Sequence, residues 1–537
     1  MKRPTRLVAL RPLVAITAIA AAVAGCGADQ AAAPTSTSTR AEPAGDTPPQ
    51  LAVAVPLPDD AVGKAVARLD GLAGDLMKSS GVPGMAVAVV HGGKTVYAKG
   101  FGVKNATQPA GPDNAVDPDT VFQVASVSKS LSASVVAQQV GAKTVDWNTP
   151  IVSQLPWFAL SDPAVTSMVS IGDMMSHRSG LPDHAGDMLE DLGADRRQVL
   201  EKLREFPLDP FRISYAYTNF GFTTGAEATA AAAHKPWEDL AADVLFRPLG
   251  MTTASYRYAD FERRPDRAVG HIRVDGTFAP RYVRDADAQA PAGGASASVH
   301  DMTRWLTMIL GNGSIDGKQI VDPAALLPAL TPQSVSDRAT EPAARSGFYG
   351  YGFNVSTTAA ARMALTHSGG FELGAGSNIL ILPSADVAIV ALTNATPIGV
   401  PETLTAEFAD LVQFGEIKQD WKTLYQNAFE KIDAPVGSLV GKQPPADPAP
   451  AAPLASYVGT YRNDFWGPAS VTELDGKLRL RLGQKLDVEL RHWNGNEFTF
   501  AFVTENAPPG TLSKATFDGP RLTLEYYDDE GKGVFTR

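Results

Sequence analysis

The residues of this sequence best suited to chemistry are a serine and a lysine three positions apart. Ser126 and Lys129 stand in the segment Phe-Gln-Val-Ala-Ser-Val-Ser-Lys, where the pattern predicts that a helix begins at or near the serine. Residues three apart on a helix share a face, so the lysine nitrogen would lie beside the hydroxyl. Serine is inert as a nucleophile without such a base or charge. The pair therefore predicts a nucleophilic serine, against the simpler interpretation of a helix-capping serine with a solvated lysine.

A second candidate element is Tyr217-x-Asn219. A tyrosine near Lys129 could accept the serine proton, provided that nearby positive charge lowers its pKa from about 10. The asparagine amide could orient a substrate carbonyl. The same spacing occurs again at Tyr425 and Tyr461, so the triplet alone identifies nothing. Position favours the first occurrence, because the other two fall on a predicted connecting helix and in a C-terminal β-region.

A third candidate element is His367-Ser-Gly369-Gly370, which precedes a predicted strand at 378–382. Small residues there would let a substrate backbone lie along the strand edge. The Gly370 N–H could complete an oxyanion hole with the N–H of Ser126.

These three elements need a fold that brings distant segments together. Apolar segments with strand character are predicted at 85–90, 95–99, 363–366, 378–382 and 387–393, and an amphipathic helix at 62–72. The region from 126 to about 308 is mainly helical. Strands at both ends with helices between them predict one α+β domain, whose antiparallel sheet combines the early hairpin with the late strands. A cleft between this sheet and the helical lobe is the natural place for a site.

The three motifs, in this order, resemble those of the serine β-lactamase and penicillin-binding-protein superfamily. The similarity is greatest to its class C-like branch, which includes esterases, D-aminopeptidases and DD-carboxypeptidases. The resemblance implies a β-lactamase/transpeptidase-like catalytic domain and an acyl-enzyme on Ser126, with acid–base work shared by Lys129 and Tyr217. It implies further that the substrate is bound by Asn219, His367, Gly369 and Gly370, and that neither a cofactor nor a metal is needed.

One residue departs from the class C pattern. Class C β-lactamases carry lysine where this chain has His367. An ammonium about 4 Å from a substrate carboxylate contributes roughly 4 kcal/mol in an intermediate dielectric, whereas histidine is mostly uncharged at pH 7. We therefore expect hydrolysis of an ester or amide, as by a carboxylesterase or D-amino-acid peptidase. The alternative is a β-lactamase or a penicillin-binding sensor with little turnover. No Gly-x-Ser-x-Gly element supports an α/β-hydrolase.

Composition predicts how the chain is divided. Residues 1–25 resemble a lipoprotein signal peptide, and Cys26, the only cysteine, would carry the lipid. A flexible tether (26–57), the catalytic domain (58–415), a connecting helix with a Pro- and Ala-rich linker (416–453) and a small all-β barrel or sandwich (454–537) follow. The expected location is the bacterial cell envelope, in the periplasm or on the outer face of a membrane. The β-domain could bind cell-wall polymer, cover the cleft, or simply pack against the catalytic domain.

Charge and histidine spacing exclude two further classes of function. With 47 basic and 58 acidic residues the net charge is -11, which argues against a nucleic-acid partner. His177 and His184 are separated by Gly180 and Pro182, so we interpret them as structural or solvated residues and not as metal ligands.

Overall fold

The computed structural model of the protein describes Pro48, residues 50–528 and residues 530–537. The predicted signal peptide, Cys26 and most of the predicted tether lie outside these residues. Within the described ranges, no helix has the length and apolar character needed to cross a membrane.

Helices and strands occupy most of the described chain. The α-helices are α1 Ala61–Val66, α2 Leu69–Ser80, α3 Ser128–Gly141, α4 Ile151–Gln154, α5 Pro163–Met168, α6 Ile171–Met175, α7 Asp187–Asp191, α8 Arg196–Lys202, α9 Asn219–Ala232, α10 Trp237–Ala241, α11 Arg247–Leu249, α12 Tyr258–Arg263, α13 Ala290–Gly293, α14 Val299–Leu310, α15 Pro323–Leu326, α16 Val400–Phe414 and α17 Trp421–Ile432. The strands are β1 Gly84–His91, β2 Lys94–Gly102, β3 Phe122–Gln123, β4 Ile272–Val274, β5 Thr277–Ala279, β6 Ser296–Ala297, β7 Ser314–Ile315, β8 Lys318–Gln319, β9 Ser334–Asp337, β10 Gly347–Tyr349, β11 Asn354–Thr357, β12 Met363–Phe371, β13 Ala375–Leu382, β14 Val387–Thr393, β15 Gly459–Tyr461, β16 Ala469–Leu474, β17 Lys477–Leu482, β18 Leu486–Asn494, β19 Glu497–Ala501, β20 Leu512–Asp518, β21 Arg521–Leu524 and β22 Val534–Thr536.

An eight-stranded antiparallel sheet organises the first part of the chain. Its order is β2-β1-β14-β13-β12-β11-β10-β9. The early hairpin β1–β2 therefore joins the late strands through β14, with Ala88 opposite Val390. This confirms the predicted α+β class, in which the two ends of the domain share one sheet and the helical middle forms a separate lobe.

Helices cover both faces of the sheet at β1. Val87 and Val89 pack into a core shared with α1, α2 and α16. Ala86 and Ala88 face the opposite way, into the larger core that contains α14 and the helical lobe. A strand that is buried on both faces forms a continuous apolar run and does not alternate, which explains its composition of Met, Ala and Val.

The last eight strands, β15 to β22, form a second sheet in simple chain order. Two backbone hydrogen bonds between Arg462 and Thr536, of 2.6 and 2.9 Å, link its first and last strands. The sheet thereby closes almost completely, which removes the exposed edges on which other chains could pair. Leu478, Leu480 and Leu482 alternate into its core. Of the two predicted forms, barrel and sandwich, the structure has a barrel.

Two predicted elements differ from the structure. The single helix predicted at 62–72 is divided between α1 and α2, with the break at Ala67 and Arg68. Residues of both helices are buried in the same core, so the break lets both pack there. The strand predicted at 363–366 is longer, because β12 pairs with β13 as far as Phe371. His367 and Gly370 therefore lie within a strand, not in a segment before one.

Candidate active site

Ser126 is the central residue of a 3₁₀ turn that leads directly into α3, which begins two residues later. The preceding Ala125 has a φ of 43°, a left-handed conformation that alanine rarely adopts. Such strain persists only where the surroundings hold it. The Val124 N–H donates to the carbonyl of Ala295 at 2.9 Å, and the Val124 carbonyl accepts from Ser377 Oγ at 2.7 Å. The turn is thus anchored to the structure on both sides.

Lys129, in the first turn of α3, has no exposed surface. Its Nζ lies 3.1 Å from Ser126 Oγ, 2.7 Å from Asn219 Oδ1 and 2.9 Å from the carbonyl oxygen of Ala292. Burial lowers the pKa of Lys129 to about 7, although the negative charge of Asp187 opposes this shift. A neutral amine has two N–H groups and one lone pair. Donation to Asn219 and Ala292 leaves the lone pair for the serine hydroxyl.

Tyr217 reaches the serine from the helical lobe. Its hydroxyl donates to Ser126 Oγ at 2.9 Å, and its ring packs on His177 with a centroid separation of 4.5 Å. Burial raises the pKa of Tyr217 well above its ordinary value, and the charges of Asp187 and Asp183 add to the increase. A phenolate base requires the opposite shift. In the free protein the phenol therefore keeps its proton and acts as a donor.

Asn219, the first residue of α9, is held by residues that the motifs do not include. Its Nδ2 donates to Asp187 Oδ2 at 2.8 Å, and the same carboxylate oxygen lies 2.7 Å from His184 Nδ1. Asp187 is only 3% exposed. Burial acts to lower the pKa of His184, but the hydrogen bond and charge of Asp187 outweigh it and raise the pKa to about 9. His184 also lines the cleft, where it is the charged partner of this carboxylate.

His177 is buried behind Tyr217 and differs from His184. Its Nδ1 accepts the Thr218 N–H at 3.1 Å, and its ring also packs on Tyr349. These contacts support the structural role predicted for it. Across the described residues, no three His, Cys, Asp or Glu side chains are grouped so that they could hold a metal ion.

His367 lines the sheet side of the cleft, on β12. Its Nδ1 lies 2.7 Å from the carbonyl oxygen of Ser368, and its Nε2 lies 3.0 Å from the hydroxyl of Tyr349. Burial lowers the pKa of His367 to about 3, so the ring is neutral. A carbonyl only accepts, so Nδ1 carries the proton and Nε2 accepts from the tyrosine. The ring therefore has neither a charge nor a spare N–H for a substrate, although the resemblance implies that His367 binds substrate.

Close packing against the serine turn explains why a glycine stands at position 369. A Cβ atom on Gly369 would lie 2.5 Å from the Val124 carbonyl oxygen and 2.8 Å from the Ser126 nitrogen, so the strand passes directly against the serine turn. Gly370 follows on the face that lines the cleft. Only a residue without a side chain allows the strand to approach the turn this closely.

The cleft encloses a cavity of about 760 Å³ between the sheet, the helical lobe and the barrel. The barrel residues that line it include Phe465, Trp466, Glu505, Asn506, Tyr526, Tyr527 and Lys532. Of the roles considered for the β-domain, covering the cleft therefore agrees with the structure. Phe465 and Trp466 are largely buried, so they form a packed wall of the cleft.

Hydrogen bonds connect the barrel to two elements beside the cleft. Glu505 accepts the N–H groups of Glu372 at 3.0 Å and Leu373 at 3.4 Å, in the turn after β12. Asp191, at the end of α7, accepts from the hydroxyl of Thr504 at 2.7 Å. The barrel is thus bonded to the strand that carries the glycines and to the helix that carries Asp187.

Comparison with known proteins identifies the larger part of the chain. Residues 69–414 match the family described as Beta-lactamase. The chain belongs to the Beta-lactamase family. It is an enzyme, a serine hydrolase of the β-lactamase-like superfamily. Residues 443–524, which include most of the barrel, match a domain of unknown function, DUF3471.

Several known proteins resemble this chain at low identity. It is 26% identical over 408 residues to Unguisins hydrolase ungD' of Aspergillus campestris, an alignment that covers 72% of this chain and 73% of the relative. It is 28% identical over 403 residues to Penicillin-binding protein 4 of Amycolatopsis lactamdurans, covering 72% and 95%. The octameric penicillin-binding protein homologue from Pyrococcus abyssi has a similar fold, with a TM-score of 0.56, 17% identity and coverage of 86% and 98%.

Within the Beta-lactamase fold, two of the predicted residues contact the Ser126 hydroxyl and two more lie beside them. Lys129 and Tyr217 contact Ser126 directly, Asn219 contacts Lys129, and Gly369 lies against the serine turn. Asp187 and His184 were not predicted as site residues, and a wall formed by the barrel was one of three roles considered for the β-domain. Asp187 follows His184 by three positions, and an acid spaced three residues from a histidine is the one local signal that could have indicated this pair.

Proposed function

We propose that Ser126 is the nucleophile of this hydrolase, that neutral Lys129 is its general base and that the Tyr217 hydroxyl is its proton donor. The hydrogen bonds around Ser126 Oγ support this assignment. The oxygen lies 2.9 Å from a phenol that keeps its proton and 3.1 Å from an amine whose N–H groups are directed elsewhere. The serine proton therefore has one acceptor, the lysine lone pair.

The proposed reaction follows from these positions. Ser126 Oγ attacks the substrate carbonyl carbon while its proton passes to Lys129 Nζ. The backbone N–H groups of Ser126 and Gly370 bind the resulting oxyanion, and the second N–H of the Asn219 amide binds an acyl carbonyl. Collapse breaks the bond to the alcohol or amine, which leaves with a proton relayed from Lys129 through Tyr217. Water then attacks the acyl-enzyme by the same route, which releases the acid and restores the serine.

We propose esters or amides as substrates, including peptides of D-amino acids, in preference to carboxylate-bearing β-lactams. His367 supports this choice, because it stands where class C β-lactamases carry a lysine, is neutral, and has both nitrogens engaged. A substrate carboxylate would find no cation from this side chain. The names of the relatives, which include a hydrolase and a penicillin-binding protein, agree with an acyl-transfer reaction on such substrates.

Labelling with a fluorophosphonate tests the nucleophile. We expect stoichiometric phosphonylation of the wild-type protein at Ser126 and none of the Ser126→Ala variant. Ser79→Ala, which removes an exposed serine on α2, should be labelled like the wild type. Labelling that persists in Ser126→Ala would contradict the proposed assignment.

A substrate panel tests the reaction class. Purified protein should hydrolyse p-nitrophenyl esters, D-Ala-D-Ala peptides or D-aminoacyl amides faster than nitrocefin, with Ser126→Ala as the blank. Nitrocefin turnover at rates typical of dedicated β-lactamases would refute the argument from His367. Stable acylation by penicillin without turnover of any member of the panel would instead indicate a penicillin-binding sensor.

We also propose that the protein is exported and anchored by lipid at Cys26. The support is the sequence alone, a basic start, an apolar run and Val-Ala-Gly-Cys at 23–26. Two acyl signals suffice to hold a protein at a membrane. Metabolic labelling with radioactive palmitate should mark the wild-type protein in a bacterial host and not Cys26→Ala. Equal incorporation in both would exclude this anchor.

A further inference from the structure

We propose that Asp187 is a positioning residue for the hydrolytic site. Its carboxylate fixes the orientation of the Asn219 amide and thereby the direction of the Lys129 lone pair, and His184 holds the carboxylate in place. The inference rests on the proposed function, in which Ser126 is activated by Lys129. None of the three sequence motifs includes either residue.

The direction of each hydrogen bond supports this role of Asp187. An ionised carboxylate only accepts, so the Asn219 atom 2.8 Å from Asp187 must be the NH₂ group. The amide oxygen then faces Lys129 Nζ at 2.7 Å, where it accepts one of the amine's two N–H groups. A flipped amide would place its oxygen against the carboxylate and its NH₂ against the amine. Asp187 therefore excludes the orientation that would displace the lysine lone pair from Ser126.

His184 connects Asp187 to the segment that carries Tyr217. Its imidazole lies 2.7 Å from Asp187 Oδ2, and its backbone N–H donates to the carbonyl of Tyr217 at 2.8 Å. The same residue thus links the carboxylate to the segment that carries the proposed proton donor. Asp183 lies 3.9 Å from the other side of the ring. The imidazole is held between two acids, which favour its charged form.

The charged groups that face Lys129 determine the direction in which each substitution should shift its pKa. His177, behind Tyr217, and His367, on β12, are neutral because burial lowers the pKa of each. Burial likewise keeps the proton on Tyr217. The charged groups that remain are Asp187 and His184, with Asp183 behind the histidine. Asp187 favours protonated Lys129, and charged His184 opposes this influence.

Substitutions of Asp187 and His184 test the proposal, because they should shift the pH profile of labelling in opposite directions. The rate of fluorophosphonate labelling at Ser126 should rise with pH and level off above about 7 in the wild type, as Lys129 loses its proton. Asp187→Asn should move this rise to lower pH by about one unit and reduce the plateau rate about tenfold or more, because the Asn219 amide can then flip. His184→Gln, which keeps a donor but removes the charge, should move the rise to higher pH.

The protein offers a matched control pair. Asp119 and His300 form an exposed acid–histidine pair, also 2.7 Å apart. Asp119→Asn and His300→Gln should leave the labelling profile unchanged. Superimposable wild-type, Asp187→Asn and His184→Gln profiles would overturn the proposal. If Asp187→Asn does not fold, the shift in His184→Gln decides. A wild-type protein that is never labelled would refute the proposed function itself, an outcome distinct from a labelled protein whose profile does not shift.

Discussion

The stability of the Lys129→Met variant relative to the wild type should be higher at neutral pH than at alkaline pH. The lysine is fully buried, and its pKa falls from an ordinary value of 10.5 to about 7 in the folded protein. Folding at neutral pH must therefore remove a proton that the unfolded chain keeps. Methionine has a similar length and no charge, so it avoids this cost but also abolishes activity.

The magnitude follows from the two pKa values. Below the unfolded pKa and above the folded one, the unfolded chain binds more protons, so wild-type stability rises with pH. The free-energy cost of burying Lys129 in the folded protein is about 4 kcal/mol at pH 7 and about 2 kcal/mol at pH 9, and it vanishes above about pH 10.5. Methionine leaves the acceptors on Asn219 and Ala292 unpaired, at about 1–3 kcal/mol each. That loss does not depend on pH, whereas the penalty on Lys129 does.

The assay is urea denaturation of both proteins at pH 7 and pH 9, followed by tryptophan fluorescence and by labelling of Ser126 for the wild type. The free energy of unfolding of Lys129→Met minus that of the wild type should fall by about 2 kcal/mol between the two pH values. Lys78→Met, which removes an exposed lysine on α2, controls for the loss of a lysine as such. A difference that stays constant from pH 7 to pH 9 would refute the assignment of Lys129 as a neutral base in the free protein.

Three further substitutions have expected outcomes. Tyr217→Phe removes the donor to the serine and should slow labelling by about 10² to 10⁴ with an unchanged melting temperature; normal labelling would exclude the tyrosine from the reaction. Gly369→Ala should abolish activity, because its Cβ would lie within 3 Å of two backbone atoms of the serine turn; Gly74→Ala, at an open position on α2, is the matched control, and full activity of both would disprove the steric argument. Glu505→Gln weakens the barrel's hold on the turn after β12 and should lower kcat about tenfold, measured with a p-nitrophenyl ester; an unchanged kcat would show that this contact does not support the site.

Local spacing predicted the part of the site that local geometry determines. Ser126 and Lys129 are three residues apart, and a turn followed by a helix brings such residues together in any fold. Tyr217 lies 91 positions away from the serine, and no periodicity in the chain fixes that distance. Its place came from the order of the motifs and their resemblance to a family, and the structure brings its hydroxyl to the serine.

The remaining residues depend on contacts that a sequence does not display. His184 stands between glycine and proline residues and looks like a loop residue; its role depends on a loop that folds back onto α9. The direction of the Tyr217 pKa shift depends on burial, and burial depends on the whole lobe. The role of His367 likewise depends on packing, since only its contact with Tyr349 shows that both of its nitrogens are occupied. The residue types indicated the chemistry, but the protonation states could be assigned only once the packing was known.

The barrel contributes to this chemistry without supplying a residue to the serine. Asp191 and Asp187 stand one helical turn apart on α7, so the barrel binds one end of a helix whose other end orients Asn219. Glu505 binds the turn that follows Gly370 by hydrogen bonds to its backbone. The two elements that must keep their distance from Ser126 are therefore both hydrogen-bonded to the barrel. A site in which a neutral amine, a phenol and an oxyanion hole must align within a few tenths of an ångström gains from such support.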